Sequence, residues 1–402
     1  VGDGYVVTFA DNTDHLDIPQ VTQAGWQVVG TSLGTFAYRV DNSAQTEINL
    51  LGYASHSRKV GDLYGIILLP ESATGADIQE ARQLLIDRGA SDGATGTTLS
   101  SYFRNRYDIL EFYPVDTSNI QTWNTAFRNT NLTTVPALDF SSAVTMGEVF
   151  KNTDITSVPI LDTSNVTNAS NAFYSCDQLS SFPALDLSNC TNFTSSWQNC
   201  SALSSFPAGA KLGTSAQNVN FGAAFMNSGL TSFPALDLSS GDNFSNTFRG
   251  TAITQFPSGA LLGTAETNVN FNSAFRGSNI ISFSTPLPTG NTFADSFKYC
   301  DDLTDVSVDV FTNWNPLSIA NACFNDTWKF CTALTAQSVE NILVSIDASG
   351  KYGTATGASG GSALADAGID IDYNVATGSL SAATNAAIRS LDTKGWEVYI
   401  NG

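Results

Sequence analysis

Between Phe112 and Leu334 the apolar positions recur as a block of about 23 to 28 residues, roughly nine times over. Each block runs aromatic, two spacers, a small residue, Leu or Ile, two polar residues, an apolar residue and proline, often followed by Leu-Asp-x-Ser. The aromatic falls at Phe127, Phe150, Phe173, Trp197, Phe225, Phe248, Phe275, Phe297 and Trp328. The aliphatic falls at Leu132, Ile155, Leu179, Leu203, Leu230, Ile253, Ile280, Leu303 and Leu334. Proline follows at 136, 159, 183, 207, 234 and 257, with Pro114 opening the series and Ser284 breaking it. One block is too short to bury its own apolar residues, so copies must stack and cover one another. The pattern predicts an α/β repeat solenoid.

Within a block, Leu179 to Pro183 alternates apolar and polar as a short strand does. The pairs Phe193 with Trp197 and Phe244 with Phe248 are four apart, the spacing of one helical turn. Strand, Asp/Ser turn, short helix and return is therefore the predicted unit. Nine strands paired at about 4.8 Å give a parallel sheet roughly 40 Å long. Two copies are longer: Trp197 to Phe225 is 28 residues and Phe248 to Phe275 is 27. Their extra length lies in Ala208 to Asn218 and Gly259 to Asn268, which match each other. Such loops on one face mark a contact surface or neutral drift.

Residues 1–105 do not follow the repeat. Gly4 to Ala10, Trp26 to Gly30, Thr35 to Val40 and Tyr64 to Leu69 read as strands. Thr74 to Arg88 reads as a helix with a Thr74/Asp77 capping box, an inner face of Ile78, Ala81 and Leu85, and Gly89 as its stop. This mixed α/β domain is expected to cap the array of residues 106–334 with its helix. Residues 335–402 form the opposite cap: a helix over Ala336 to Asp347 with Val339, Ile342, Leu343 and Ile346 inward, a glycine-rich loop from Gly350 to Gly361, a strand near Ile369 to Tyr373, a helix from Ser381 to Lys394, and a last strand from Trp396 to Ile400.

Charge changes the picture. The chain has 37 acidic and 17 basic residues, a net charge of −20. Nucleic acid and anionic membrane are disfavoured as partners, since both need clustered Lys and Arg. No run of 18 apolar residues is present, so no spanning helix is expected. Val1 to Ala10 lacks signal-peptide features, which leaves open a leader ahead of Val1.

Cys176, Cys200, Cys300 and Cys331 sit three residues after the spine aromatic, where other copies carry Thr130, Thr153, Ser228, Thr251 and Ser278. The slot calls for a small, nearly buried side chain. A core thiol satisfies it; the alternative is a Cys176–Cys200 bridge between adjacent copies. Asp116, Asp139, Asp162, Asp186 and Asp237 recur past the proline and read as Asx-turn or capping residues rather than calcium ligands. No metal or cofactor is expected. Seven Asn-x-Ser/Thr triplets, at Asn131, Asn165, Asn168, Asn189, Asn192, Asn243 and Asn325, are explained mostly by composition.

Catalysis has little to build on. His15 and His56 are the only histidines, and a nucleophilic triad would have to use one of them. Gly350-Lys351-Tyr352-Gly353 lacks phosphate-loop spacing. Paired carboxylates for glycoside chemistry are a spatial feature that sequence does not reveal.

Units such as Asn171 to Ser188, with the aromatic-x-x-Cys step at Phe173 to Cys176, the Leu179-Ser-Ser-Phe182 run and the Asp162 to Thr167 turn, resemble BspA-like leucine-rich repeats. That class occurs in bacterial and protist surface proteins and in structural proteins of bacteriophages, marine ones among them. The resemblance covers about 225 residues and departs from the class in its prolines and longer copies. It implies recognition or structure without chemistry. A virion surface protein, whether fibre, spike or decoration subunit, is the expected function, self-assembling as a homo-oligomer with other virion proteins and contacting a host protein or glycan. The alternatives are a secreted adhesin at the cell surface and a carbohydrate-active enzyme.

Overall fold

Within each unit, alternate backbone N–H groups of an aromatic turn leave their own copy and donate to the next one along the chain. In a computed structural model, Phe193, Ser195, Trp197 and Asn199 donate to the carbonyls of Asn220, Gly222, Ala224 and Met226 at 2.8–2.9 Å. The intervening Ser196 and Gln198 donate back to Phe193 and Ser195 within the copy. The described residues are 5–7, 25–31, 34–40, 63–70, 72–86, 90, 97–113, 115–135, 138–320, 322–353, 368–372 and 379–401. They form two units, Val1–Leu185 and Asp186–Gly402. The architecture is α/β, with several short parallel sheets and few helices.

The predicted helical turn at the aromatic pairs is not a helix. Ser195 and Asn199 take φ of 56° and 62°, and the pattern recurs at Thr125 and Asn129 (58° and 57°), Glu148 and Asn152, and Asn227 with Ala223. Left-handed residues every fourth position break the i→i−4 ladder and turn their N–H groups sideways. Asn and Asp tolerate this region better than most residues, and Asn is the commonest occupant. The i, i+4 aromatic spacing was therefore a correct sign of a shared inner face and a wrong sign of helix.

In the first unit, strands β1 (Tyr5–Val7), β2 (Gly25–Thr31), β3 (Gly34–Val40), β4 (Leu63–Pro70) and β5 (Ile109–Phe112) form one antiparallel sheet in the order β1-β4-β2-β3-β5. Helix α1 (Gly75–Ile86) begins with the predicted capping box: Thr74 N–H donates to Asp77 Oδ2 at 2.7 Å and Asp77 N–H to Thr74 Oγ1 at 3.3 Å. Its Ile78, Ala81 and Leu85 pack on Val28 and Ala37 of the sheet. Among the described residues the contacts of this helix are thus with the sheet, and the first ring of the array is covered otherwise. That task falls to rings: Phe36 contacts Phe103 and Phe112 at 5.5 and 6.2 Å, and Phe103 stacks on Phe127 at 5.3 Å. Repeat geometry already holds at Leu99 to Asn105, whose N–H groups donate to Thr122, Asn124, Ala126 and Arg128. This copy escaped the sequence pattern because its small-residue slot holds Arg106, buried in a two-bond pair with Asp108 at 2.6 and 2.8 Å.

The ring column continues as Phe103, Phe127, Phe150 and Phe173, with centroids 5.3–5.7 Å apart. In the second unit Trp197, Phe225, Phe248, Phe275 and Phe297 stack at 5.0–5.6 Å. A second column runs Phe193, Phe221, Phe244, Phe271, Phe293 and Phe324 at 5.1–5.4 Å. A third, Phe206, Phe233, Phe256 and Phe283, meets the first edge-on, as Phe233 does Phe248 at 4.9 Å and 71°. All nine predicted aromatics and all nine aliphatics are buried.

Strand content is lower than the single long sheet predicted. The second unit has one four-stranded parallel sheet of two- and three-residue strands (Val219–Asn220, Gly241–Asn243, Val269–Asn270 and Gly290–Thr292) plus three two-stranded pairs. Its carboxyl end carries helix α2 (Ala336–Ala348), capped by Thr335, and α3 (Ala382–Thr393), capped by Ser381. Val339, Ile342, Leu343 and Ile346 are buried as expected, and Gly395 follows α3 at φ 81°. Strands Phe324–Trp328, Gly368–Asp372 and Glu397–Asn401 form a parallel sheet that extends the last copy. Asp370 and Asp372 there accept from Asp326 N–H and Phe330 N–H at 3.4 and 2.7 Å. Gly89, Pro114, Pro136 and most of the Gly350 to Gly361 loop lie outside the described residues.

Two stability outcomes follow. Phe248→Ala removes a ring in contact with four others and should cost about 3–5 kcal/mol, read as a lower urea midpoint by tryptophan fluorescence. Arg106→Ala leaves Asp108 buried without its counter-charge and should cost about 3–5 kcal/mol, read the same way; a cost under 1 kcal/mol, about the worth of an exposed pair, would contradict the burial.

Candidate binding surface

The residue after each spine aromatic is half-buried, set between the buried aromatic and a left-handed residue two places past that ring. In the first unit that position holds Arg104, Arg128, Lys151 and Tyr174; in the second it holds Gln198, Met226, Arg249, Arg276, Lys298 and Lys329. Seven of the 17 Lys and Arg residues thus share one repeat position. Net charge alone pointed away from clustered cations, and it averages over what the fold collects. The signal was present in sequence as a basic residue directly after Phe103, Phe127, Phe150, Phe248, Phe275, Phe297 and Trp328.

The two rows differ in how far their charges are met, although each has one arginine without an ion pair among the described residues: Arg104 in the first and, bonded to Asn246 Oδ1 at 3.2 Å, Arg249 in the second. In the second unit, Arg276 pairs with Asp295 at 3.4 Å, Lys298 with Asp295 and Asp326 at 2.8 and 2.7 Å, and Lys329 with Asp326 at 3.1 Å. Partial burial works against the Lys298 charge, but the hydrogen bonds to Asp295 and Asp326 outweigh it and raise the ammonium above its usual value. Partial burial likewise works against the Asp326 charge; Lys298 and Lys329 outweigh it and hold the carboxyl low. Tyr299 and Phe330 stack at 4.8 Å beside this row, with the Arg276 guanidinium 5.4 Å from the Tyr299 ring.

In the first unit, Glu148 pairs with Arg128 and, at 3.7 Å, with Lys151, which also lies 4.5 Å over the Tyr174 ring. Arg104 has no ion pair among the described residues. Beside these cations runs a ladder of amides at the left-handed position: Asn152 donates to Asn129 at 2.8 Å, and Asn129 to Asn105 at 2.7 Å.

Other sequence candidates resolve as structure. The five aspartates form Asx turns, accepting from the N–H of Ser118, Ser141, Ser164, Ser188 and Ser239 at 2.8–3.2 Å. Asn168, Asn192 and Asn243 of the glycosylation triplets do the same. Lys351 donates to the Pro316 carbonyl, and Trp396 Nε1 to the Lys351 carbonyl, both at 3.0 Å; the Gly350 to Gly353 stretch is a packed turn. The longer loops are fastened to each other by Asn218 N–H to Glu266 Oε1 at 3.1 Å. Leu317 and Ser318 N–H groups then donate to Thr267 O and Asn268 Oδ1. Gly213 and Gly263 sit at φ 66° and 63° in the matching loops, where a Cβ would come within 2.8 and 2.6 Å of Val219 and Val269. Burial, then the charge of Glu266, raises the Asp242 carboxyl. His15 and His56 lie outside the described residues.

All six cysteines are buried thiols, Cys176 and Cys200 included, so the bridge weighed for those two is not formed. Thr130, Thr153 and Thr251 in the slot donate to their own copy's aromatic carbonyl at 2.8–2.9 Å. Cys176, Cys300 and Cys331 donate to the preceding copy's, at 2.9–3.1 Å. Burial pushes Cys176 up to about 12 and Cys300 to about 11. Among the described residues no three His, Cys, Asp or Glu side chains group as metal ligands would, and no helix is long and apolar enough to cross a membrane.

No family model, curated protein or solved structure matches the chain. Thiolate is the reactive form of cysteine, so Ellman's reagent at neutral pH should label none of the six thiols in native protein and all six in guanidinium. Native labelling of even one would show that its slot opens.

Proposed function

We propose that this chain is a recognition and assembly protein of a virion surface, without catalytic activity, and that the repeats of each unit are a leucine-rich-repeat-like solenoid of the BspA-like kind. One observation carries the reading: each copy points its aromatic, aliphatic and small slot residue inward and fills its turns with internal hydrogen bonds. What remains outward is the same few positions repeated at a ring spacing such as the 5.6 Å between Phe127 and Phe150 and between Phe225 and Phe248. A surface of that kind offers many weak, identical contacts, which suits attachment and packing better than the convergence of unlike groups that catalysis needs. Homo-oligomers with other virion proteins as neighbours are the assembly this reading implies.

Immunogold electron microscopy with antibody to this chain tests it. Labelling of purified particles is the expected result. Labelling confined to cell envelopes would replace the virion reading with that of an exported adhesin, and polysaccharide turnover abolished by one carboxylate substitution would replace it with that of a carbohydrate-active enzyme.

A further inference from the structure

The cationic row of the first unit is poised for a ligand that the protein does not itself supply. Arg104 and Arg128 stand on adjacent copies whose rings, Phe103 and Phe127, are 5.3 Å apart, and Lys151 follows on the next copy at a ring spacing of 5.6 Å. Among the described residues the three cations meet one acid, Glu148, which holds Arg128 and Lys151, and no acid pairs with Arg104. Four residues after the ring, the copies carrying Lys151 and Tyr174 hold the exposed acids Asp154 and Asp177, whereas those carrying Arg104 and Arg128 hold the uncharged Tyr107 and Asn131; the exposed acids of these two copies, Asp116 and Asp139, sit in the Asx turns past the strand.

The neighbours of these two arginines are amides and a ring. Asn105 and Asn129 follow them directly in chain, joined side chain to side chain. Each amide keeps hydrogen-bonding capacity beyond its ladder bond. Tyr107, two residues past Asn105, is 56% exposed, among the most open aromatic rings in the described chain. Guanidinium, carboxamide and an open ring are the groups that meet carboxylate or sulfate, hydroxyls and the apolar face of a sugar.

We propose that Arg104, Arg128 and Lys151, with Asn105, Asn129 and Tyr107, form a binding strip for an anionic polysaccharide bearing carboxylate or sulfate groups. The strip would be the contact site of the recognition protein proposed above, and in naming its ligand the inference rests on that reading. Spacing favours this ligand: one cation per copy matches one sugar ring of an extended chain. Duplex DNA carries a charge about every 1.7 Å, roughly three per copy, against a single file of cations on a protein of net charge −20. Such a protein gains nothing from long-range attraction to a polyanion, so binding has to come from short-range contacts in register.

The test is binding of the whole chain to immobilised alginate, dextran sulfate, neutral dextran and polythymidylate at physiological salt. Binding to alginate or dextran sulfate and not to dextran is expected, and the stronger of the two identifies carboxylate or sulfate as the group read. The Arg104→Glu/Arg128→Glu variant should bind at least about tenfold more weakly, the loss expected from charge-assisted hydrogen bonds. Arg389→Glu, a single charge reversal on exposed α3, should bind as wild type. Circular dichroism and melting temperature confirm that both variants fold; should the double variant unfold, Arg104→Gln takes its place with the same expected direction. No binding to either charged polymer, or equal loss in Arg389→Glu, overturns the proposal. Tighter binding to polythymidylate overturns it in favour of nucleic acid, and self-association lost in the double variant in favour of a contact between copies. Failure here with particles still labelled by antibody would remove the ligand and leave the surface role, whereas unlabelled particles with glycan binding intact would do the reverse.

Discussion

The lateral hydrogen bonds between successive copies are the constraint from which the rest of each unit follows. A turn that sends alternate N–H groups sideways has no complete set of partners of its own, and a buried unpaired N–H is costly. Each copy therefore needs a neighbour at hydrogen-bonding distance along its whole aromatic turn. That distance sets the ring spacing, and rings held near 5 Å in parallel gain the offset-stacking energy that scattered aromatics would not. Backbone and side chain impose one spacing, so a misfitting residue in one copy disturbs both.

The small-residue slot shows how closely the two are matched. A hydroxyl or thiol three residues after the ring finds a carbonyl in its own copy when it is Thr and in the preceding copy when it is Cys. Both solutions give the buried donor a carbonyl, whereas the shorter Ser228 hydroxyl in the same slot reaches none. Arg106 is the exception in size, and it carries Asp108 with it because a lone buried charge is not tolerated. Where the ladder ends it needs a partner of another kind. In the first unit the rings of Phe36 and Phe112 cover Phe103, and in the second a strand contributes Asp370 and Asp372 to the outermost N–H groups.

Register also writes the surface. A residue repeated in the sequence becomes a row in space, so one basic residue per copy becomes a line of cations in a strongly acidic chain. Like charges at such spacing repel, and the second unit answers with Asp295 and Asp326 between its cations. The first unit answers only in part, with Glu148. How far each row is neutralised rests on which acids the intervening copies carry.

Sequence by itself determined the period, the inward positions and several elements of the flanks: the nine spine aromatics, the slot, the Asx turns, the Thr74 capping box and the buried face of α2 all follow from local pattern. It misjudged the aromatic turn, since an i, i+4 pair on one face is produced as well by two left-handed residues as by a helix. It also missed the copy at Phe103, because a buried ion pair stood where a small residue was expected. Tertiary structure alone decided the direction of the N–H groups, the packing of α1 on the sheet, and the gathering of cations into rows. Those outcomes depend on bonds between residues more than 20 positions apart, such as Phe127 to Val149, and no local pattern encodes which distant neighbour a side chain will face.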